Sequence, residues 1–254
     1  MGGGGRKEVS KRELFLSEMA ENIRSPYEAK WEGYAAGGEF RNQTEEEYFQ
    51  YVVDKTEPKA VILDLACGDG RHTLRFAERV AEVVGLDLSR NSLAKAKKKC
   101  LVNDNVTFIE GSVFQLPFPP NTFDGIWFSE AFEYVPPDKR RMLLTSINSM
   151  LKDSGILYMS VETWQDPSII ASLKRLWTDF RLFCYWKFIK RKPLLWGEFL
   201  YYSSVKGIDW SGWHYHVHTS KKTLCHILDM CGFAIEKVNL YDEYIYVLCR
   251  KAKG

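Results

Sequence analysis

Nowhere in its 254 residues does the chain run through roughly 18 uncharged apolar positions in succession, and no apolar segment of the export type follows Met1. The first absence excludes a membrane-spanning helix, and the second points to a cytoplasmic chain. Cysteine pairing is missing too. Cys67, Cys100, Cys184, Cys225, Cys231 and Cys249 are scattered with no C-x-x-C among them, so they read as reduced thiols. The formal net charge is only +2, which removes the global field expected of a nucleic-acid binder and leaves any basic contact local. What the chain does have is apolar material, 45% of its residues, enough for one α/β domain with an added subdomain.

The most informative stretch is Val61-Ile62-Leu63-Asp64-Leu65-Ala66-Cys67-Gly68-Asp69-Gly70-Arg71, followed by an apolar run ending in Val84-Gly85-Leu86-Asp87. Ala60 to Leu65 has the length and β-branched content of a buried parallel strand, and the glycines after it allow a tight turn into a helix beginning near Arg71. A strand, glycine loop and helix make half of a nucleotide-binding crossover. A dinucleotide site would set a pyrophosphate on the helix N-terminus and a small residue at position 71. Here that position is arginine, and Asp64 and Asp69 would put two carboxylates against a diphosphate, which Coulomb repulsion in a partly dry site makes costly. The ligand should be cationic at that point. S-adenosylmethionine carries an ammonium and a sulfonium and no phosphate, and Asp87, about 20 residues beyond the loop, can accept from both ribose hydroxyls.

The segment resembles motif I and the acidic second strand of class I S-adenosylmethionine-dependent methyltransferases, whose acid, small residue and two glycines are met by Asp64, Ala66, Gly68 and Gly70. Val106 to Glu110 with Gly111-Ser112-Val113 is similar to the family's third strand and adenine loop. Phe123 to Trp127 is similar to its fourth strand, Ser129 to Pro136 to the loop after it, and Leu151 to Leu157 to the turn into the fifth strand. The pattern is nearest to small-molecule members such as the quinone-biosynthesis O-methyltransferases. The resemblance implies an α/β fold: a Rossmann-like doubly wound sheet, mostly parallel with an antiparallel C-terminal edge hairpin. It also implies a cofactor site, with S-adenosylhomocysteine as product, at Asp64, Ala66, Gly68, Gly70, Asp87, Leu88, Ser112, Val113 and Ser129. Two positions depart from the family. Ser112 replaces an acid that accepts from the adenine amine, a contact a hydroxyl makes with less charge assistance. Tyr134 stands where the quinone enzymes carry a histidine after Glu130 and Glu133.

Three units are expected: residues 1–54 as an N-terminal helical lid, 55–162 with 219–254 as the core, and 163–218 as a helical cap insertion. In the lid, helical spacing from about Glu8 is broken by Pro26 ahead of Tyr27, Trp31 and Tyr34, which the resemblance suggests fold over the cofactor. Thr44 to Val53 reads as a second amphipathic helix. In the core, strands near 60–65, 82–87, 105–110, 123–129 and 155–161 alternate with helices at 71–79, 90–100 and 138–150, which predicts a parallel sheet with ligands at the strand C-terminal ends. Phe233 to Leu240 and Tyr244 to Cys249 read as two final strands. The insertion interleaves Trp177, Phe180, Trp186 and Trp196 with Lys174, Arg181, Lys187 and Lys190, and is apolar over too much of its circumference for one face of a small domain. Three uses compete for it: a cap over an apolar or aromatic substrate, an interfacial helix giving peripheral membrane contact through 174–202, or a surface for a homodimer or RNA.

Methyl transfer from a sulfonium is an in-line displacement with an excellent leaving group, so such a site mainly positions the reactants and excludes water. A hydroxyl or ammonium acceptor must also lose a proton. Glu130 and Glu133, two carboxylates near enough to raise one pKa, are candidate bases. His214 and His216 are further candidates, because His214, His216 and His218 alternate and an extended strand puts all three imidazoles on one face. Rings so placed stand about 6–7 Å apart, too wide to share a tetrahedral zinc unless the chain bends, and no metal is expected. Tyr27, Tyr34, Tyr134 and Trp213, with Trp210, are candidate acceptor walls, and Ser220 reads as an N-cap. The reading is an S-adenosylmethionine-dependent methyltransferase acting on an O or N nucleophile of a small aromatic or lipid-like molecule, without a nucleic-acid partner. Its alternatives are RNA or protein methylation, served by Lys95, Lys97, Lys98 and Lys99, and a non-catalytic cofactor-binding module.

Overall fold

β1 (Val61–Leu65) is the centre of the sheet: Ile62, Leu63 and Leu65 are wholly buried, as expected of a parallel strand covered on both faces. It pairs in parallel with β2 (Glu82–Asp87) on one side and β4 (Phe123–Ser129) on the other. β3 (Val106–Glu110) and β5 (Leu151–Glu162) extend the sheet outward in parallel, and β9 (Tyr244–Lys251) and β8 (Phe233–Tyr241) close one edge in antiparallel pairing. The seven-stranded order is β3-β2-β1-β4-β5-β9-β8. This is the Rossmann-like doubly wound sheet with an antiparallel edge hairpin that the sequence predicts. The computed structural model describes residues 10–30, 40–204, 211–241 and 243–252, with backbone alone at 21–30, 203–204 and 211. Trp31, Tyr34 and Trp210 therefore lie outside the described residues, as does the side chain of Tyr27.

Helices cover both faces. Tyr48, Phe49 and Val52 of α2 (Gln43–Lys55) pack with Phe76 of α3 (Arg71–Ala77) against one side of the sheet. Leu143, Leu144 and Ile147 of α5 (Pro137–Met150) pack with Leu224 and Leu228 of α7 (Lys221–Met230) against the other. Ser220 caps α7, its hydroxyl accepting from the Thr223 N–H. Asp64, Asp87, Ser129 and Glu162 all stand at the C-terminal ends of parallel strands, where doubly wound sheets bind ligands.

Two elements differ from expectation. α1 (Lys11–Lys30) runs on through Pro26, which removes one intrahelical hydrogen bond without forbidding the helix. The turns before the proline are anchored by the buried Phe15 and Met19. The insertion is only half helical: after α6 (Ile169–Cys184) the chain forms an antiparallel hairpin of β6 (Glu198–Ser204) and β7 (Ser211–Val217). The alternation of aromatic residues along 199–201 and of imidazoles along 214–218 has the period of a strand, and it overrides the helical reading of the segment.

One cation joins lid, core and insertion. The Arg12 guanidinium lies 2.6 Å from Asp138 at the start of α5 and 2.6 Å from the fully buried Glu198 at the start of β6, and it donates to the Pro193 carbonyl. The same Glu198 carboxylate accepts from the Tyr215 hydroxyl at 2.7 Å. The buried Arg140, close enough to feel Tyr215 and Glu198, donates to the Val135 and Val217 carbonyls, tying β7 to the loop after β4. Arg12→Met keeps the apolar stem and leaves Glu198 buried without its cation, so a loss of about 2 kcal/mol is expected, or roughly 4–8 °C in thermal midpoint for a chain of this size. A midpoint within 1 °C of the wild type, by circular dichroism, would show that the clamp contributes nothing.

Candidate active site

A cavity of about 620 Å3 opens at the C-terminal edge of the sheet, well within the size range of small-molecule sites. Of the residues singled out in the sequence for a cofactor, Asp64, Ala66, Gly68, Asp87, Leu88, Ser112, Val113 and Ser129 line it, and so do Glu130 and Tyr134. Gly70 does not. Its part is to start α3 at φ +78°, in a place where a Cβ would come within 2.9 Å of Ala96 Cβ on α4 (Arg90–Lys99). Gly68, also left-handed, turns its N–H toward β2.

Asp87 is where the cavity meets charge. Its Oδ2 accepts from the Gly68 N–H and its Oδ1 from the Ser89 N–H, each at 2.8 Å, which leaves a lone pair on both oxygens for a ligand. Burial raises its pKa, and the neighbouring Asp64 adds to the rise against these two donors. Asp64 is itself buried and raised by burial, and it accepts from the Thr73 hydroxyl at 2.6 Å. Asp69, which the sequence places beside Asp64 as the second repelling carboxylate, is paired with Lys99 instead. The acids that make this turn negative are therefore Asp64 and Asp87. Lys99 is also accounted for by that pair.

Tyr134 forms a wall between this cavity and a polar cluster on the insertion side, its ring meeting His216 edge-on at 4.8 Å. Glu133 turns away from the cofactor cavity and is buried, and burial followed by the Glu162 carboxylate pushes its pKa up to about 8. His216 is buried on β7, and burial lowers its pKa to about 3. His218 differs: burial opposes its charge, but Asp179 at 2.7 Å and Glu162 at 3.4 Å outweigh it and raise the pKa to about 9. His214 stacks on Tyr201, with ring centroids 5.2 Å apart. Trp213 faces the other way on β7, packing against Trp186 and Tyr202, and does not line the cavity.

The sequence reading missed the charge network on the cavity floor. Arg41 donates two hydrogen bonds to Glu130 at 2.9 and 2.6 Å, so Glu130, held at φ +52°, is engaged in a bidentate ion pair. Glu45 is fully buried and accepts from the Arg41 backbone N–H and the Ser129 hydroxyl, with His72 at 3.3 Å and Arg71 at 3.6 Å. The signal was present as Asn42-x-x-Glu45, a helix-capping pattern, and Asn42 does cap α2. Burial opposes the Glu45 charge, but His72, Arg71 and the Arg41 N–H prevail and hold its pKa at about 2. A pKa depressed on folding stabilises the protein above the unfolded value and loses that contribution as pH falls toward 2. Glu45→Gln should therefore cost about 3 kcal/mol at pH 7 and only about 1 kcal/mol at pH 3, on the scale of 1.36 kcal/mol per pKa unit. Urea midpoints at the two pH values test this, and an equal difference at both would refute it.

Residues 62–155 match the methyltransferase-domain family. A demethylmenaquinone methyltransferase of Symbiobacterium thermophilum is 32% identical over 151 residues, 57% of each chain, and one of Staphylococcus aureus is 33% identical over 106 residues, 41% of this chain and 43% of its own. The chain spans about half the length of the curated relatives it matches. Among solved structures, a 1,6-didemethyltoxoflavin-N1-methyltransferase of Burkholderia thailandensis, bound to 1,6-didemethyltoxoflavin and S-adenosylhomocysteine, aligns with TM-score 0.65 at 16% identity over 98% of this chain and 93% of its own. A methyltransferase of Methanosarcina mazei aligns with TM-score 0.62 at 20% identity over 80% of this chain and 97% of its own. Fold, motif and relatives agree that residues 62–155 are a methyltransferase domain, and that over this part the chain is similar to class I S-adenosylmethionine-dependent methyltransferases, the demethylmenaquinone methyltransferases among them.

Proposed function

We propose that the chain transfers a methyl group from S-adenosylmethionine to an oxygen or nitrogen of a small, apolar, aromatic or lipid-like acceptor. The observation that carries this reading is Asp87, a carboxylate fixed by two backbone amides at a cavity that also contains a second buried acid and carries Ser112 on its wall. That donor set fits the cofactor: Asp87 would accept from the ribose hydroxyls, Ser112 from the adenine amine between Leu88 and Val113, and the Asp64 end would meet the amino-acid moiety. When bound, the cofactor supplies an electrophilic methyl on a sulfonium. The chain itself must orient the acceptor, exclude water and receive a proton.

Glu130 is engaged with Arg41, and Glu133, whose pKa burial pushes up to about 8, stands off the cavity one residue before Tyr134, so it would have to turn toward the cavity to take the proton. The acceptor class is supported by relatives that act on demethylmenaquinone and by the outer face of the insertion. No residue of α6 is buried, and Ile169, Leu173, Trp177, Phe188 and Trp196 are each more than half exposed, next to Lys187 and Lys190. An apolar face rimmed by cations suits an anionic membrane surface, from which a lipid-like acceptor is drawn. Among the described residues no helix is long and apolar enough to cross a membrane.

Asp87→Ala is expected to weaken cofactor binding by about 1.5–3 kcal/mol, the scale of hydrogen bonds to a charged group, measured by titration calorimetry. An unchanged affinity would mean that Asp87 does not hold the ribose. With cofactor labelled on the methyl and a fractionated cell extract, label should enter the organic phase. Label confined to RNA or protein would replace this reading with a macromolecular acceptor. Trp177→Glu with Phe188→Glu should abolish co-sedimentation with phosphatidylglycerol vesicles, and undiminished sedimentation would remove the membrane from the proposal.

A further inference from the structure

Behind Tyr134, the end of β5 and the end of β7 bring together Glu162, His216 and His218, with one ligand-type atom from each lying within 4.8 Å of the others. The spacings are informative. His218 Nε2 is 3.4 Å from Glu162 Oε1, and His216 Nδ1 is 3.6 Å from Glu162 Oε2. A charge-assisted hydrogen bond between imidazole and carboxylate would close to about 2.7–2.9 Å. Two ligand atoms sharing a tetrahedral ion at bond lengths of about 2.0–2.1 Å stand about 3.4 Å apart. The two pairs therefore stand near the distance that a shared ion sets, each imidazole facing its own oxygen of the one carboxylate.

Two further features point the same way. His216 is 2% exposed, and neither of its ring nitrogens has a hydrogen-bond partner, although Nδ1 faces the Glu162 carboxylate. A buried imidazole of this kind is costly unless something binds it. His218 has its Nδ1 at 2.7 Å from Asp179 of α6, the carboxylate–histidine arrangement that fixes a ring with Nε2 turned toward an ion. The alternation along β7 places these rings 5.8 Å apart between centroids, a gap too wide to close alone. The carboxylate that bridges it comes from β5, 54 positions away from His216 in the sequence and invisible to any reading of the strand by itself.

We propose that Glu162, His216 and His218 bind one divalent transition-metal ion of the zinc class, with Asp179 as the residue that positions His218. Two imidazoles and one carboxylate are a ligand set suited to zinc, and three protein ligands leave a position for water or for an acceptor oxygen. The ion would lie one side chain from the cofactor cavity, since Tyr134 touches both. It would also tie the insertion to the sheet, because its ligands come from β5 and from the end of the hairpin. The site stands on its own geometry and does not require the proposed acceptor.

The test uses the full chain, stripped with a chelator and titrated with zinc in competition with a chromophoric chelator. One equivalent is expected to bind with Kd below about 1 µM and to raise the thermal midpoint. Glu162→Gln and His218→Ala should each weaken binding at least 100-fold, and Asp179→Asn by 10–100-fold, the usual range for a carboxylate behind a ligating histidine. His226→Ala, on α7 and away from the cluster, should leave affinity unchanged. X-ray absorption of the zinc-loaded chain should show nitrogen and oxygen neighbours at about 2.0–2.1 Å. Binding weaker than micromolar, binding that survives both ligand variants, or a sulfur neighbour at about 2.3 Å would each overturn the assignment. A variant that fails to fold leaves the decision to the stoichiometry and the absorption spectrum of the wild type.

Discussion

The cavity at the C-terminal edge of the sheet is built around one buried carboxylate held by amides. Asp87 sits at the end of β2 where burial favours its neutral form, and the N–H groups of Gly68 and Ser89 oppose that by donating to its two oxygens. Neither amide is incidental. Gly68 reaches β2 because it is left-handed, and Ser89 is also the N-cap of α4, its hydroxyl accepting from the Ser92 N–H. Glycine turn, helix start and the Asp87 carboxylate are thus a single construction. Amide donors hold a carboxylate without cancelling its charge, whereas a lysine or arginine would have neutralised it.

That distinction sorts the other acids around the cavity. Asp69 has Lys99, Glu130 has Arg41, and Glu45 has His72 and Arg71 near it. These acids build the floor and rim, and their charge is spent on their cations. Asp64 and Asp87 lie deeper and lean on a hydroxyl and on amides. Two buried carboxylates with no ion pair of their own among the described residues make the turn a poor place for a diphosphate.

The fold was legible because each core strand is a short apolar run followed by a turn, and because the strand-to-helix alternation has few topological solutions. Asp64, Gly68 and Asp87 were legible for the same reason: their spacing is imposed by the crossover itself. The partition of charges was not. Asp69 is as acidic in sequence as Asp64, and only the packing of α4 against the turn gives it to Lys99. Arg41 and Glu45 were not read as site residues because the contacts that bring them to the cavity, Arg41 to Glu130 and Ser129 to Glu45, span more than 80 positions. The insertion was expected to be a helical cap, and although the alternation of His214, His216 and His218 already suggested an extended strand, its pairing with residues 198–204 as a hairpin was not read.

That second half shows why a strand is needed there. β7 presents His214 and His216 toward Tyr201 and Tyr134, while Tyr215 and Val217 pack against Phe15 and Met19 of the lid helix. From His214 to Val217, residues alternate between the polar cluster and the lid side, and both sides are buried. A helix would mix the two sets around its circumference. A register slip of one residue would send Tyr215 into the polar cluster and expose the imidazoles to the lid. The register is fixed at the end where Glu198 pairs with Val217: the Glu198 carboxylate takes the Tyr215 hydroxyl and Arg12, and the Val217 carbonyl takes Arg140. The polar contacts that look like stability features of the insertion are thus also what decides which side chains face the polar cluster behind Tyr134.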